Sequence, residues 1–564
     1  NKPGGRLSPL ERWVLGAFVE GAREIDPPTT DQPWHYYNIG VPIGLPVDHK
    51  AKIRSHFKEY FNNGVEANYN VPFGRVVGNF SGTYKATERY HSADVTVEDL
   101  PPEAHYDEAF ELLKKMFHSA KLHCDYKLHL EDTVVNPKSA IGYHCKRASD
   151  ILFATGLIKR RWRFKADVYR DCPELTKWMK RWAWWFKIPV LWNTSGKNEI
   201  LKLKKFLTGD IRTFTYADPF FTLNYSNMLA PVKYFMVLMA NDFKHTPGRM
   251  GVTFARGSFG EMITELENLI CVKGDCWKWD AHYTSVLAYT TARLLAWILG
   301  FDKGTKEYEE LMYYTEQAFY SFVRMPAGEV FRILKKKSGD PWTTGGNIMG
   351  HLLILAAHLV FMASKTGEDP YELFLKCRFN VYADDHLNGY PPHVRQFIQY
   401  VFRAKFYKMY GPILHPPPED QVQDGPDGMM FLGATAKKQF GTYVPTYSFE
   451  RLLAILQCND YSHEELAQVL KSIGPLVASN RDAFKVYSQY LNKFFPHLTP
   501  ILKEDCSVFT GAEGGRRYKN ENLRVHFYIP KQDEYKRQQF EFTGGDRYLQ
   551  RQEAKGGQTA TASA

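Results

Sequence analysis

Four aspartates stand at two places in this sequence where carboxylates could do chemistry. Asp275 and Asp280 lie five residues apart just after an apolar run, and Asp384 and Asp385 are adjacent. Neighbouring carboxylates in a tight turn repel each other, so either cations offset the repulsion or one acid faces away. A pair of Mg2+ ions held by Asp carboxylates and substrate phosphates would offset it. Two such ions about 3.5–4 Å apart clamp the attacking and leaving oxygens of an in-line phosphoryl displacement. An Asp-Asp dipeptide alone says little, because most are solvated turn residues. Its weight comes from its surroundings.

Between the two acidic sites lies Ser338-Gly339-Asp340-Pro341-Trp342-Thr343-Thr344-Gly345-Gly346-Asn347. A small-residue loop of this kind lets backbone approach a ligand closely. Thr343 and Asn347 are four apart and share a face if they open a helix. A hydroxyl and an amide so placed could read another hydroxyl; a helix cap followed by a turn explains the same residues. The elements that must position these groups follow from periodicity. Residues 269–272 read as a buried strand, followed by a loop and a helix around 286–299. Residues 348–362 read as an apolar helix. Residues 379–382 and 387–390 read as short strands joined by Ala383-Asp384-Asp385-His386. Residues 444–510 read as mostly helical, and the stretch up to Val135 as loops with modest helices.

Composition sets the outer bounds. The chain has 564 residues, with 72 Lys+Arg against 62 Asp+Glu, a net charge of +10. This excludes a small disulfide-stapled module and permits, without requiring, a polyanionic partner. Eight dispersed cysteines with no CxxC pair argue against a zinc knuckle and for a reducing compartment. The longest apolar stretch, 351–363, is shorter than the roughly 20 residues a bilayer needs, so no transmembrane segment is expected. A start at Asn1 is compatible with a processed product or a fragment. Residues 146–187 are basic, with Trp178, Trp182 and Trp185 on one helix face; buried core and a nucleic-acid stacking platform both fit. From Gly545 onward the chain has no Ile, Val, Phe, Trp or Met, which predicts a flexible tail.

The order of these features resembles the viral RNA-dependent RNA polymerases, in particular the calicivirus and picornavirus-like group. Asp275-Cys276-Trp277-Lys278-Trp279-Asp280 matches their motif A, Asp-x4-Asp. Ser338-Gly339 with Thr343 and Asn347 matches motif B, and Tyr382-Ala383-Asp384-Asp385 occupies motif C. Pro137-Lys138-Ser139-Ala140-Ile141-Gly142-Tyr143 is similar to motif G. Lys197-Asn198-Glu199, then Lys202, Lys204 and Lys205, then Arg212-Thr213-Phe214, is similar to motif F. Phe431-Leu432-Gly433, with Lys437 and Lys438 behind it, sits where motif E is expected. The resemblance spans about residues 136–438.

The resemblance implies an α+β right-hand polymerase fold with a small antiparallel palm sheet. It implies fingers at 1–246 and 295–337, palm at 247–294 and 338–443, thumb at 444–544 and a tail at 545–564. It implies two Mg2+ ions, with Mn2+ as the alternative, on Asp275 and Asp384, with Asp385 in support. Asp280, Thr343 and Asn347 become the ribose-sensing set. Lys197, Arg212, Lys202, Lys204 and Lys205 meet the triphosphate. Ser139, Gly142, Ser338, Gly339, Lys437 and Lys438 meet template or product RNA. The implied partners are RNA template, nascent RNA, NTPs and other viral replication proteins. The implied location is the host cytoplasm, at a replication complex or within a particle. Sequence choice would come from base pairing, so RNA would be held by backbone and shape, more weakly as salt rises.

Two residues depart from the family pattern. Ala383 stands where motif C usually has glycine, at a turn that favours the smallest residue. Gln421 stands where motif D usually has lysine; Gln is no useful acid near neutral pH, and His415 is the nearby group that titrates in range. The rival readings are a reverse transcriptase, since those enzymes share Tyr-x-Asp-Asp, and an inactive RNA-binding relative. Asp280 with Asn347, where a reverse transcriptase places an aromatic gate, argues for RNA synthesis. Retention of Asp275, Asp384, Asp385 and Asn347 argues against decay.

Overall fold

A computed structural model of the chain describes residues 7–15, 73–76, 105–124, 139–176, 190–197, 199–202, 211–254, 257–326, 330–439 and 442–457, with isolated positions elsewhere. The tryptophan stripe, Pro137-Lys138, Lys204, most of the thumb range and the tail lie outside the described residues.

In chain order, the elements that frame the site begin with α1 (Tyr106–Met116), β1 (Leu191–Gly196), β2 (Thr213–Tyr216) and α2 (Pro219–Leu238). Then come β3 (Ile270–Gly274), β4 (Cys276–Trp277), α3 (Ser285–Leu299), β5 (Tyr320–Arg324) and β6 (Val330–Leu334). They are followed by α4 (Thr343–Thr366), β7 (Val381–Tyr382), β8 (Asp385–Tyr390), α5 (Tyr400–Tyr410), β9 (Ile413–Leu414) and β10 (Gln421–Asp424). A last sheet is built from β11 (Met430–Phe431), β12 (Ala434–Gln439) and β13 (Thr442–Thr446).

The central sheet runs β10-β3-β8-β7 and is antiparallel throughout. Its middle strand, β3, has Ile270, Cys271 and Val272 all buried, as a short apolar run between two neighbours should. A second sheet, β2-β1-β5-β6, joins segments more than a hundred residues apart: β1 lies parallel to β5, and the other pairs are antiparallel. It unites strands upstream of β3 with strands from the insertion between α3 and α4.

The helix α4 is the spine of the fold. It is apolar on every side and almost entirely buried, the pattern of a core helix and not of a surface one. It packs on α1, α3 and α5, within one continuous core that reaches from Leu112 to Tyr410. Its 24 residues exceed the apolar stretch read from the sequence and are enough, by length and composition, to cross a bilayer. Burial inside the protein accounts for that composition instead. The helix also begins earlier than the small-residue run suggested. Thr343 to Asn347 are its first turn, so only 338–342 form the loop.

Strand boundaries around the acidic pair are tighter than the sequence implied. Tyr382 pairs with Asp385, leaving Ala383 and Asp384 as a two-residue turn and Asp385 inside β8. Ala383 takes the left-handed conformation, φ 55. That explains the family's usual glycine here. A non-glycine residue pays roughly 1–2 kcal/mol in this region.

Two outcomes follow. Ala383→Gly relieves the left-handed cost but adds unfolded-chain freedom of about 0.5–1 kcal/mol, so thermal melts should show a net change within about 1 kcal/mol and a retained fold. The second concerns His358, which is buried in α4 beside the carbonyl oxygen of Phe397, 2.8 Å from Nε2. Burial pushes its pKa down to about 4 from 6.5. Below about pH 6.5 the unfolded chain therefore binds the extra proton, and stability falls progressively towards pH 4. Melting temperature measured from pH 7 to pH 5 should drop, and drop less steeply in His358→Gln.

Candidate active site

The register of β3 against β8 sets Gly274 opposite His386. Asp275, the next residue after β3, therefore emerges beside the turn that carries Asp384. Asp275 is exposed, whereas Asp384 and Asp280 are half-buried. Burial, then the charge of Asp275, then those of Asp280 and Asp385, push the Asp384 carboxyl up to about 6. The four acids thus share one electrostatic neighbourhood. Among the described residues neither Asp275 nor Asp384 enters an ion pair.

Asp385 differs from its neighbour. One carboxylate oxygen pairs with the Lys273 ammonium from β3, and the other accepts the Leu432 backbone N–H at 2.8 Å. Its charge is engaged by β3 and by the turn between β11 and β12. Lys273 was not legible as a site residue, because on β3 it reads as the one polar position of a buried strand. Lys278, Ala383 and Leu432 are three of the five described non-glycine residues with positive φ. All three border this acidic centre, and such backbone concentrates where structure serves something other than stability.

The residues of the small-residue run come together at the start of α4. Asn347 is buried, and its Oδ1 has no hydrogen-bond partner among the described residues. A buried acceptor left unpaired costs about 1–3 kcal/mol, so it is a place for an incoming donor. Thr343 Oγ1 lies 2.8 Å from the Asp340 carbonyl and 3.0 Å from that of Lys337, so its hydrogen is committed to the loop. Its lone pairs remain to accept. The loop is pinned by a buried ion pair, Lys336 to Asp340 at 2.7 Å, with Lys336 Nζ over the Tyr283 ring. The Tyr283 hydroxyl donates to the Gly346 carbonyl at 3.1 Å. The ammonium of Lys336 also feels Asp280. Loop 338–342 is therefore anchored at both ends, more so than its small residues suggested.

Ser338 and Gly339 face β2. The Thr215 N–H donates to Ser338 Oγ at 3.1 Å. A Cβ on Gly339 would sit 1.8 Å from the Thr215 carbonyl oxygen, so glycine is required by close approach. Immediately before β2, Arg212 is exposed and its guanidinium reaches Glu199 at 3.5 Å. The Lys197 N–H donates to the Arg212 carbonyl at 2.8 Å, so these two basic residues are adjacent. Lys202 and Lys205 are exposed.

Farther out, Gly142 (φ 78) precedes the helix Tyr143–Ala154, and a Cβ there would strike Asp218, the residue just before α2. The Ser139 carbonyl accepts from the Lys165 N–H at 3.1 Å. Lys437 and Lys438 are exposed on β12, and Lys438 pairs with Glu267 at 3.3 Å. His415 lies next to the acids through its backbone: its N–H donates to the Asp275 carbonyl at 2.9 Å, an extension of the β4–β9 pairing. Gln421 is exposed on β10, opposite Lys273.

The donor set suits a divalent hard cation. Among the described residues no three acid, histidine or cysteine side chains form a closed cage. Mg2+ does not need one, since it keeps waters and binds through one or two carboxylates plus substrate phosphates. Asp275 and Asp384, whose charges act on each other and which enter no ion pair among the described residues, are carboxylates of the kind such an ion takes.

Comparison with known proteins gives the same frame. The solved structure of a sicinivirus 3Dpol RNA-dependent RNA polymerase superposes with a TM-score of 0.59 over 81% of this chain and 92% of that one, at 13% identity. At that identity the likeness is one of fold, the right-hand polymerase fold with its mixed helices and sheets. The non-structural polyprotein 1AB of mink astrovirus 1 is 25% identical over 253 residues, 44% of this chain. The matched part is 18% of that polyprotein's length. The family model described as viral RNA-dependent RNA polymerase matches residues 167–499, more than half of the sequence and all of the acidic centre. The convergence of Asp275 and Asp384 on one sheet end therefore has a family to go with it: this chain belongs to the viral RNA-dependent RNA polymerases.

Proposed function

We propose that the chain copies an RNA template into RNA from ribonucleoside triphosphates, in the replication of a viral RNA genome in the host cytoplasm. One observation carries this reading: Asp384 sits half-buried beside Asp275, Asp280 and Asp385, and burial with their charges pushes its carboxyl up to about 6.

Asp275 and Asp384 would hold two Mg2+ ions, with Mn2+ as the alternative. When bound, the ions supply charge stabilisation of the reacting phosphate and its leaving group. The rest is positioning by this chain's residues. Asp385, tied to Lys273 and Leu432, steadies the strand that follows the turn. Asp280, Thr343 and Asn347 form the ribose pocket. The unpaired Asn347 Oδ1 is suited to accept from a 2′-hydroxyl, and a deoxyribose would leave it unpaired. Lys197 and Arg212, with Lys202, Lys204 and Lys205, neutralise the triphosphate. Arg212 offers a planar fork and the lysines point charges. Ser139, Gly142, Ser338 and Gly339 guide the template, and Lys437 and Lys438 the product strand. Residues 1–246 and 295–337 act as fingers, a division supported by the sheet that β1 and β2 share with β5 and β6. Residues 247–294 and 338–443 act as palm, 444–544 as thumb, and 545–564 as a tail.

Asp384→Asn should lower metal-dependent nucleotide incorporation by roughly 10²–10³-fold or more while RNA affinity is kept. A wild-type chain that binds RNA but incorporates nothing would instead mark an inactive relative. Asn347→Ala should erode the preference for rNTP over dNTP in primer extension by about 10-fold, the worth of roughly one hydrogen bond. Selective use of dNTPs by the wild type would sink the RNA-synthesis reading in favour of reverse transcription.

A further inference from the structure

The turn that carries Asp384 is gripped from behind by the helix that carries Asn347. His351 lies one helical turn beyond Asn347 on α4, so the two side chains share a face. Its imidazole is fully buried. Nδ1 lies 2.8 Å from the Ala383 carbonyl oxygen, and a carbonyl only accepts, so Nδ1 carries the hydrogen. Burial pushes the ring down to about 4, so it is neutral at physiological pH. Nε2 then has a lone pair, and the Tyr407 hydroxyl from α5 donates to it. The Trp279 ring lies 5.2 Å away and the His386 ring meets it edge-on at 4.9 Å. The imidazole is held on all sides.

The accepted carbonyl is not an arbitrary one. It belongs to the peptide that joins Ala383 to Asp384. Ala383 is left-handed without being glycine, so its conformation has to be held by what surrounds it. The orientation of that peptide plane sets the direction in which Asp384 leaves the backbone.

We propose that His351 is a positioning residue: from the helix face that presents Asn347, it fixes the Ala383–Asp384 peptide, and Tyr407 fixes the imidazole. The ribose pocket and the Asp384 carboxylate are thereby referenced to one rigid helix. This rests on the reading of Asp384 as a metal-holding acid, and the experiment separates the two.

The test compares two amides in the full chain. His351→Asn places its amide nitrogen where Nδ1 stood and keeps the donor to Ala383. His351→Gln places its amide near Nε2 and loses it. Single-nucleotide incorporation is measured against Mg2+ and NTP concentration, with RNA affinity and melting temperature alongside. The Gln variant should lose kcat by roughly 10²-fold, the cost of a misplacement of about 1 Å, and need more Mg2+ for half-maximal rate. The Asn variant should recover most of both, with RNA affinity equal in the two. Tyr407→Phe should fall between them. Equal kcat and equal Mg2+ requirement in the Asn and Gln variants would overturn the proposal, whether both are active or both impaired. An active Asp384→Asn would instead overturn the reading of the site itself.

Discussion

Everything at this site depends on keeping carboxylates together that electrostatics would drive apart. Asp384 is half-buried with Asp275, Asp280 and Asp385 around it, and its carboxyl is pushed up to about 6 as a result. No local sequence preference would assemble such a group. The antiparallel ladder of β3 and β8 does, because Gly274 opposite His386 leaves Asp275 nowhere to go but beside the turn. The ladder is secured by apolar burial on both faces of β3, so the repulsion is a small term set against a large core.

The surrounding polar groups divide into those tied to the scaffold and those without such a tie among the described residues. Lys273 and Leu432 occupy both oxygens of Asp385. Lys336 and Asp340 neutralise each other out of water, which is worth having only when both partners are fixed. Thr343 spends its hydrogen on the loop. Among the described residues Asp275 and Asp384 enter no ion pair and the Asn347 Oδ1 accepts no hydrogen bond. The difference between the two groups is what distinguishes a site from a polar core.

Much of this was legible in the sequence. The spacing of Asp275 and Asp280, the Ser338–Asn347 run and the adjacent Asp384-Asp385 located the centre, and apolar runs located β3, α3 and α4. The pair Thr343 and Asn347 does share the first turn of α4, as four-residue spacing implied. What the sequence hid depends on long-range partners. Asp385 looks like the twin of Asp384, and only the approach of Lys273 and Leu432 separates them. His351 reads as one polar residue in a greasy helix until Ala383 and Tyr407 arrive from residues 32 and 56 positions away. Lys335, Lys336 and Lys337 are three consecutive charged residues, yet all three are buried. Lys337 donates to the carbonyls of Phe319 and Ile333, bonds that no periodicity announces.

The contact of Ser338 and Gly339 with Thr215 has a mechanical consequence. Thr215 belongs to the strand that leaves the basic residues Lys197 and Arg212, and Gly339 lies against its carbonyl with no room for even a methyl group. The loop and the strand are in backbone contact there, tied by the Thr215–Ser338 hydrogen bond and held as close as a glycine allows. Any side chain larger than hydrogen at residue 339 would therefore have to part the loop from the strand, opening the seam between two segments more than a hundred residues apart in the chain.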